Sequence, residues 1–288
     1  MKLLNKSMIK NSESLAKSLK AQAYFVFADC LESKQISLDL PKTCQAILET
    51  QKPKRYRQEF KKAFLHQINL PKIDLGRLGL VKASLALALS TGLISEKEKV
   101  IFLSGNANQN SLDTLIVLEI GSDKDFLSST KLQGLSEVVE PQVFEACFNL
   151  CIELASLGRE GKPIGTIFVL GDEEKVLQLS KQMIMNPFKG YEEEERNILN
   201  PKLKETIREF SALDGAFIID KKGTVLTAGR FLGATAEATE VSRGLGSRHL
   251  AAAGITALSE ALALVVSEST GSLRLFKGGK TILEIEKP

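Results

Sequence analysis

Between residues 214 and 271 the chain carries Asp214-Gly215-Ala216, then Gly246-Ser247-Arg248-His249, then Ser267-Glu268-Ser269-Thr270-Gly271. A carboxylate that can approach an alcohol or a cation, an Arg-His pair that can hold an anion, and a turn dense in hydroxyls are the groups that phosphoryl transfer needs. Each has a plainer reading. Asp-Gly is a common turn, in which Asp caps the backbone and Gly supplies a positive φ. Arg-His can sit on a surface helix cap, and Ser-Glu can simply end a strand. His249 is one of only two histidines, with His66, and it follows Arg248 at the expected start of a helix. There the first amides of the helix, the guanidinium and the Ser247 hydroxyl would together make an anion site.

Alternating segments must position these groups. The pattern predicts an early helix near residues 8–20, and the apolar run Ala23–Ala28 suits a buried strand, as do Lys99–Leu103 and Thr114–Ile120. Asp74 is placed to cap a long helix through Leu89 that ends near Gly92. The polar stretch Gly121–Asp125 then marks a boundary between two domains, 1–125 and 126–288.

Beyond it Pro141 stands at a helix start, and Val143, Cys147, Leu150, Cys151 and Leu154 share one face closed by Gly158. Pro163–Leu170 reads as a strand punctuated by Gly171-Asp172, and Asn200-Pro201 reads as the cap and first turn of a helix that buries Leu203, Ile207 and Phe210. Ala216–Ile219, Lys221-Lys222-Gly223 and Thr224–Ala228 read as strand, turn, strand. A small-residue helix over Ala251–Ala261 leads into Leu262–Val266, with Ser267-Glu268 at the carboxyl end of that strand, an edge where ligands often bind. Gly278-Gly279 turns a closing hairpin from Leu273 to Ile285, and the acidic run Glu192–Glu195 is expected on a solvated helix face. The fold class is α/β: an N-terminal α/β layer domain followed by a domain with a mixed central sheet flanked by helices.

Composition narrows the function. A chain of 288 residues exceeds the usual single domain, which runs to roughly 100–200 residues. With 38 basic and 35 acidic residues and a net charge of +3, it lacks the basic footprint of a nucleic-acid binder. No apolar run approaches the roughly 20 residues that span a bilayer, and Met1–Lys6 lead into no apolar signal core, so the expected location is cytoplasmic, with no membrane partner. The four cysteines are too dispersed for a disulfide framework. Cys147 and Cys151 could share a metal by spacing, but with no second Cys or His pair nearby they are expected in the core. A Walker loop and a Gly-x-Ser-x-Gly elbow are both absent, which argues against a P-loop ATPase and a serine hydrolase.

The ordered set Gly158-Arg159-Glu160-Gly161-Lys162-Pro163, Asn186-Pro187-Phe188, Asp214-Gly215-Ala216, Gly246-Ser247-Arg248-His249 and Val265-Val266-Ser267-Glu268 resembles the diadenylate cyclase domain over roughly residues 158–288. Where that family commonly has a basic residue after Arg-His and a second Glu after Ser-Glu, this chain has Leu250 and Ser269. The resemblance implies that two ATP molecules are joined into cyclic di-AMP by facing domains of a homo-oligomer, with a divalent metal ion, Mn²⁺ or Mg²⁺. It further implies that Asp214, Gly215, Ala216, Arg248 and His249 are catalytic. Gly246, Ser247, Arg248, Ser267 and Glu268 would bind the nucleotide, Leu232 within Gly229-Arg230-Phe231-Leu232 would pack on adenine, and Asp214 and Glu268 would hold the metal. The first domain vaguely resembles the C-terminal α/β domain of pyruvate kinase and is read as an oligomerisation or regulatory module. A nucleotide-sensing protein without catalysis is the alternative from another class, and a regulatory protein acting through its first domain is a third reading.

Overall fold

The computed structural model describes residues 2–31, 36–53, 63–122, 126, 134–233 and 246–286. The chain divides into two compact units, Met1–Leu127 and Ser128–Lys287.

The first unit is a five-stranded sheet ordered β3-β2-β1-β4-β5. Its strands are β1 (Ala23–Phe27), β2 (Gln45–Thr50), β3 (His66–Asn69), β4 (Lys99–Asn106) and β5 (Ser111–Glu119). β1, β2, β3 and β4 run parallel and β5 returns antiparallel to β4. β1 is buried at every position because helices cover a parallel sheet on both faces, which is why its sequence is an unbroken apolar run. Helix α1 (Leu3–Leu19) buries Ile9, Ser12 and Ala16, and Ser12 Oγ lies 2.6 Å from the Tyr24 hydroxyl. Helix α2 (Gly76–Ser90) is apolar almost all round, with Leu80, Val81 and every residue from Ala83 to Ser90 buried.

The second unit holds a seven-stranded sheet ordered β12-β11-β10-β6-β8-β9-β7. The strands are β6 (Thr166–Leu170), β7 (Ser180–Gln182), β8 (Ala216–Ile219), β9 (Val225–Leu232), β10 (Leu262–Val266), β11 (Leu273–Lys277) and β12 (Lys280–Ile285). Only β6 and β8 pair in parallel; the other pairs are antiparallel. The helices are α3 (Leu135–Val138), α4 (Pro141–Leu157), α5 (Glu173–Gln178), α6 (Leu203–Phe210) and α7 (Ser247–Ala257). Ala252, Ala253 and Ile255 of α7 join Ile167, Val169, Ala216, Ile218, Val265 and Phe276 in one apolar cluster. The other face presents Phe168 and Phe217, stacked with centroids 4.8 Å apart. Small residues on α7 let its backbone approach the sheet, so its first turn is carried to the sheet edge.

Several boundaries differ from the sequence reading. The first helix begins at Leu3. The long helix begins at Gly76, after Leu75, and Asp74 Oδ1 accepts the Gly76 amide at 3.0 Å. Asn200 makes the turn before α6, its side chain accepting the Lys202 amide at 3.1 Å, and the helix itself starts at Leu203. α7 spans Ser247–Ala257, starting and ending four residues before the expected Ala251–Ala261, because the polar Ser-Arg-His turn is already helical. Glu192–Glu195 are exposed as expected but lie in turns outside any helix. Strands β2, β3 and β7 carry too short or too polar a pattern to be read from the sequence alone. Cys147 and Cys151 are free, fully buried thiols in the α4 core. Residues 123–125 of the expected boundary lie outside the described residues. No helix among the described residues is long and apolar enough to cross a membrane.

Candidate active site

Strand direction gathers the predicted residues. Thr166 at the start of β6 pairs with Val266 at the end of β10, and Ile167 pairs with Ala216 at the start of β8. Gly165, Asp214-Gly215 and Ser267-Glu268 therefore stand at one edge of the sheet: the amino ends of the parallel pair and the carboxyl end of β10. The expected carboxyl-edge site is thus an amino edge for two of its three strands, because β10 runs against β6.

The first turn of α7 closes on this edge. Residues 246–249 and 266–269 line a cleft of about 400 Å³. Gly246 precedes the helix with an extended backbone, and among the described residues no side chain caps the first turn; the His249 amide bonds the Gly246 carbonyl at 3.0 Å, which leaves the Ser247 and Arg248 amides to an anion. Arg248 Nη1 donates to Glu268 Oε2 at 3.1 Å, and its Nη2 lies 3.9 Å from Asp214 Oδ1. One guanidinium thereby links two carboxylates from different strand ends. Asp214 and Glu268 side chains are 86% and 59% exposed, so both remain open to a ligand. The Ser267–Gly271 turn is closed by its own bonds: the Gly271 amide to the Ser267 carbonyl at 2.9 Å and the Thr270 amide to Ser267 Oγ at 3.3 Å.

His249 is buried, and Arg274 Nη1 donates to its Nε2 at 3.0 Å. Burial first, then the Arg274 and Arg248 charges, push the ring's pKa down to about 4, with Glu284 opposing. The ring is neutral near pH 7, so it can serve an anion as a hydrogen-bond donor but not as a charge.

Gly215 needs to be glycine. Its φ is +102°, and a Cβ there would come within 2.7 Å of the Arg230 amide nitrogen and of the Gly229 carbonyl carbon. The backbones of 214–216 and 229–230 are thus pressed together. Leu232, expected against adenine, is 5% exposed and packs in the apolar cluster with Ile167 and Ala216, so its side chain is not brought into the cleft. Arg230 is spent on structure, bonding Ser180 Oγ at 2.8 Å and the Leu177 and Ser180 carbonyls. Exposed apolar side chains on the 183–185 and 229–232 segments are Met183, Ile184, Met185 and Phe231. The Asn-Pro-Phe loop is also structural: Asn186 Nδ2 donates to the Leu226 carbonyl at 2.8 Å, and Phe188 packs edge-on to Phe210.

Two residues escaped the sequence reading. Gly165 lies under Arg248: a Cβ there would sit 2.5 Å from Nη1, 2.9 Å from Cζ and 3.1 Å from Glu268 Cβ. Arg274 reaches the site from β11, 25 residues after His249, and no spacing rule foretells that contact.

A family model described as DAC, DisA bacterial checkpoint controller nucleotide-binding, matches residues 153–281. A diadenylate cyclase of Methanocaldococcus jannaschii is 30% identical over 99% of this chain and 97% of its own length. The chain belongs to the diadenylate cyclase family. A second archaeal relative, the diadenylate cyclase of Haloferax volcanii, is 33% identical over 76% of this chain and 87% of its own length. The solved DacA structure from Staphylococcus aureus is 23% identical over 51% of this chain and 89% of that chain, with a TM-score of 0.33. As a diadenylate cyclase family member the chain is an enzyme, a nucleotidyltransferase.

The donor set fits the divalent ion that such an enzyme would use. Among the described residues no three His, Cys, Asp or Glu side chains gather into a metal cage. Asp214 and Glu268 offer hard carboxylate oxygens on either side of Arg248. Magnesium-type ions are commonly held by one or two carboxylates together with substrate phosphates.

Proposed function

We propose that residues 126–288 form the catalytic domain and that it condenses two ATP molecules into cyclic di-AMP and two pyrophosphates. Each ribose 3′-hydroxyl attacks the α-phosphorus of the other ATP; the P–O bond to pyrophosphate breaks as the new ester forms, and the hydroxyl proton passes to a base or water. The observation that carries this reading is Arg248 lying between Glu268 and Asp214 at the open first turn of α7.

Arg248 holds phosphate charge, and the amides of α7 with the Ser247 hydroxyl add donors along the triphosphate. Asp214 approaches the 3′-hydroxyl and lowers the cost of removing its proton, with Gly215 and Ala216 setting its place. Glu268 and Ser267 complete the shell on the opposite side. A bound Mn²⁺ or Mg²⁺ would neutralise charge on the transferring phosphorus, and Asp214 and Glu268 are the residues to hold it. Adenine is placed against the 229–231 segment, where Met183, Ile184 and Phe231, in place of the buried Leu232, offer exposed apolar surface.

One such site takes one ATP, so two copies of the chain face each other in a homo-oligomer, and the reaction belongs in the cytoplasm. Residues 1–125 serve assembly or regulation. Chromatography of ATP incubated with the full chain and Mn²⁺ tests the reaction: cyclic di-AMP and pyrophosphate are expected. Binding without product would favour the sensing reading, which Leu250 and Ser269 motivate. Specific activity should fall on dilution into the monomer range; a rate strictly proportional to enzyme at every concentration would argue against paired sites.

A further inference from the structure

His249 is the third residue of α7 and lines the cleft, with its ring 6.2 Å from that of Phe276. Its Nε2 faces Arg274 Nη1 at 3.0 Å. A guanidinium has donors and no acceptor, so Nε2 must contribute its lone pair. The neutral ring then carries its proton on Nδ1. Arg274 is itself gripped by the Glu284 carboxylate from the facing strand, where the two residues stand directly opposite in the β11–β12 register. His249 Nδ1 is buried and has no hydrogen-bond partner among the described residues. A buried N–H without a partner is uncommon and calls for a group that satisfies it, such as a water or a ligand.

We propose that Arg274, anchored by Glu284, is a positioning residue of the cyclase site. It fixes His249 as the Nδ1–H tautomer, so that the ring serves a nucleotide phosphate oxygen, directly or across one water, as a neutral donor. The inference rests on the reading that residues 246–249 hold the triphosphate. It divides the work of the Arg-His pair: Arg248 supplies charge, and His249 supplies a donor of fixed direction. The β11–β12 hairpin thereby becomes part of the phosphate-binding apparatus, although neither Arg274 nor Glu284 lines the cleft.

The tautomer is directly observable. Replacing exposed His66 by Gln leaves His249 as the sole histidine, and long-range ¹H–¹⁵N spectra of the full chain with ¹⁵N-labelled histidine report which ring nitrogen bears the proton. At neutral pH the Nδ1–H form is expected. Arg274→Met should convert it to the Nε2–H form or a mixture, and should raise the KM for ATP about tenfold with a smaller change in kcat. Arg274→Lys, which keeps a cationic donor, should recover part of both effects, and Glu284→Gln should give a milder version should Arg274→Met fail to fold.

Circular dichroism and thermal melts establish that each variant is folded. An Nε2–H ring or an imidazolium in the parent at neutral pH would overturn the proposal. So would folded Arg274→Met with unchanged tautomer and unchanged KM. If the parent made no cyclic dinucleotide, the cyclase reading would fail. The tautomer, with ATP affinity by calorimetry in the parent and Arg274→Met, would still decide the role of Arg274.

Discussion

Arg248 and Glu268 meet at 3.1 Å across the mouth of the cleft, joining the first turn of α7 to the end of β10. With a 33% exposed guanidinium and a 59% exposed carboxylate the contact adds little stability. Its value is placement: it holds a cation where phosphates would arrive and keeps it 3.9 Å from Asp214.

That placement depends on Gly165. Its φ is not positive, so alanine is tolerated by the backbone, but the new Cβ would lie 2.5 Å from Arg248 Nη1. Gly165→Ala is expected to melt close to the parent and to raise the KM for ATP about tenfold, because the guanidinium must leave its seat. In the Arg248→Ala background the same change should have little further effect; full additivity of the two KM effects would refute the link. Gly215→Ala is the contrasting case. At φ +102° and 2.7 Å from the Arg230 amide nitrogen it should fail through folding, losing about 2 kcal/mol or more by denaturant titration.

Asp214→Asn should keep the fold, since the side chain is 86% exposed and its Oδ1 accepts only the neighbouring Gly215 amide among the hydrogen bonds of the described residues. ATP binding by calorimetry should persist while kcat falls by about a hundredfold or more, as expected for a group acting on the attacking hydroxyl. Undiminished cyclic di-AMP from purified variant would remove Asp214 from the mechanism.

His249 gives the second unit an acid-side pH dependence. Its folded pKa is lowered to about 4 from an ordinary 6.5. The unfolded ring therefore binds a proton first, so stability is full above about 6.5 and is lost as pH falls toward 4. The loss should reach about 3 kcal/mol at most. Melts of His249→Gln across this range should be flatter than the parent, and parallel curves would contradict the assignment. The pH–rate profile should show no inflection from this ring near 6.5, because it is neutral on both sides of that value.

Glu49 acts in the opposite sense in the first unit. It is fully buried, neither carboxylate oxygen has a hydrogen-bond partner among the described residues, and burial pushes its pKa up to about 8 from 4.5, with Ser84 opposing. The folded state holds this proton more tightly, so the contribution is full below 4.5 and is lost as pH rises through about 8. Glu49→Gln should raise the alkaline-side stability of the full chain. An unchanged denaturation midpoint above neutral pH would show that the carboxyl is already ionised or solvated.

Much of this protein is written locally. The apolar run of β1, the amphipathic face of α4 with its buried cysteines, the Gly278-Gly279 hairpin and the order of the Asp-Gly-Ala, Ser-Arg-His and Ser-Glu segments depend on periodicity, turn chemistry and side-chain type, all properties of neighbouring residues. Only the tertiary structure decided which strands run against which. That choice put Asp214, Arg248 and Glu268 at one edge, laid Gly165 beneath the guanidinium, brought Arg274 to His249 and turned Leu232 into the core. These relations join residues far apart in the chain through the direction of β10 and the close seating of α7. They are set by packing of whole elements, for which no short stretch of sequence carries a sign.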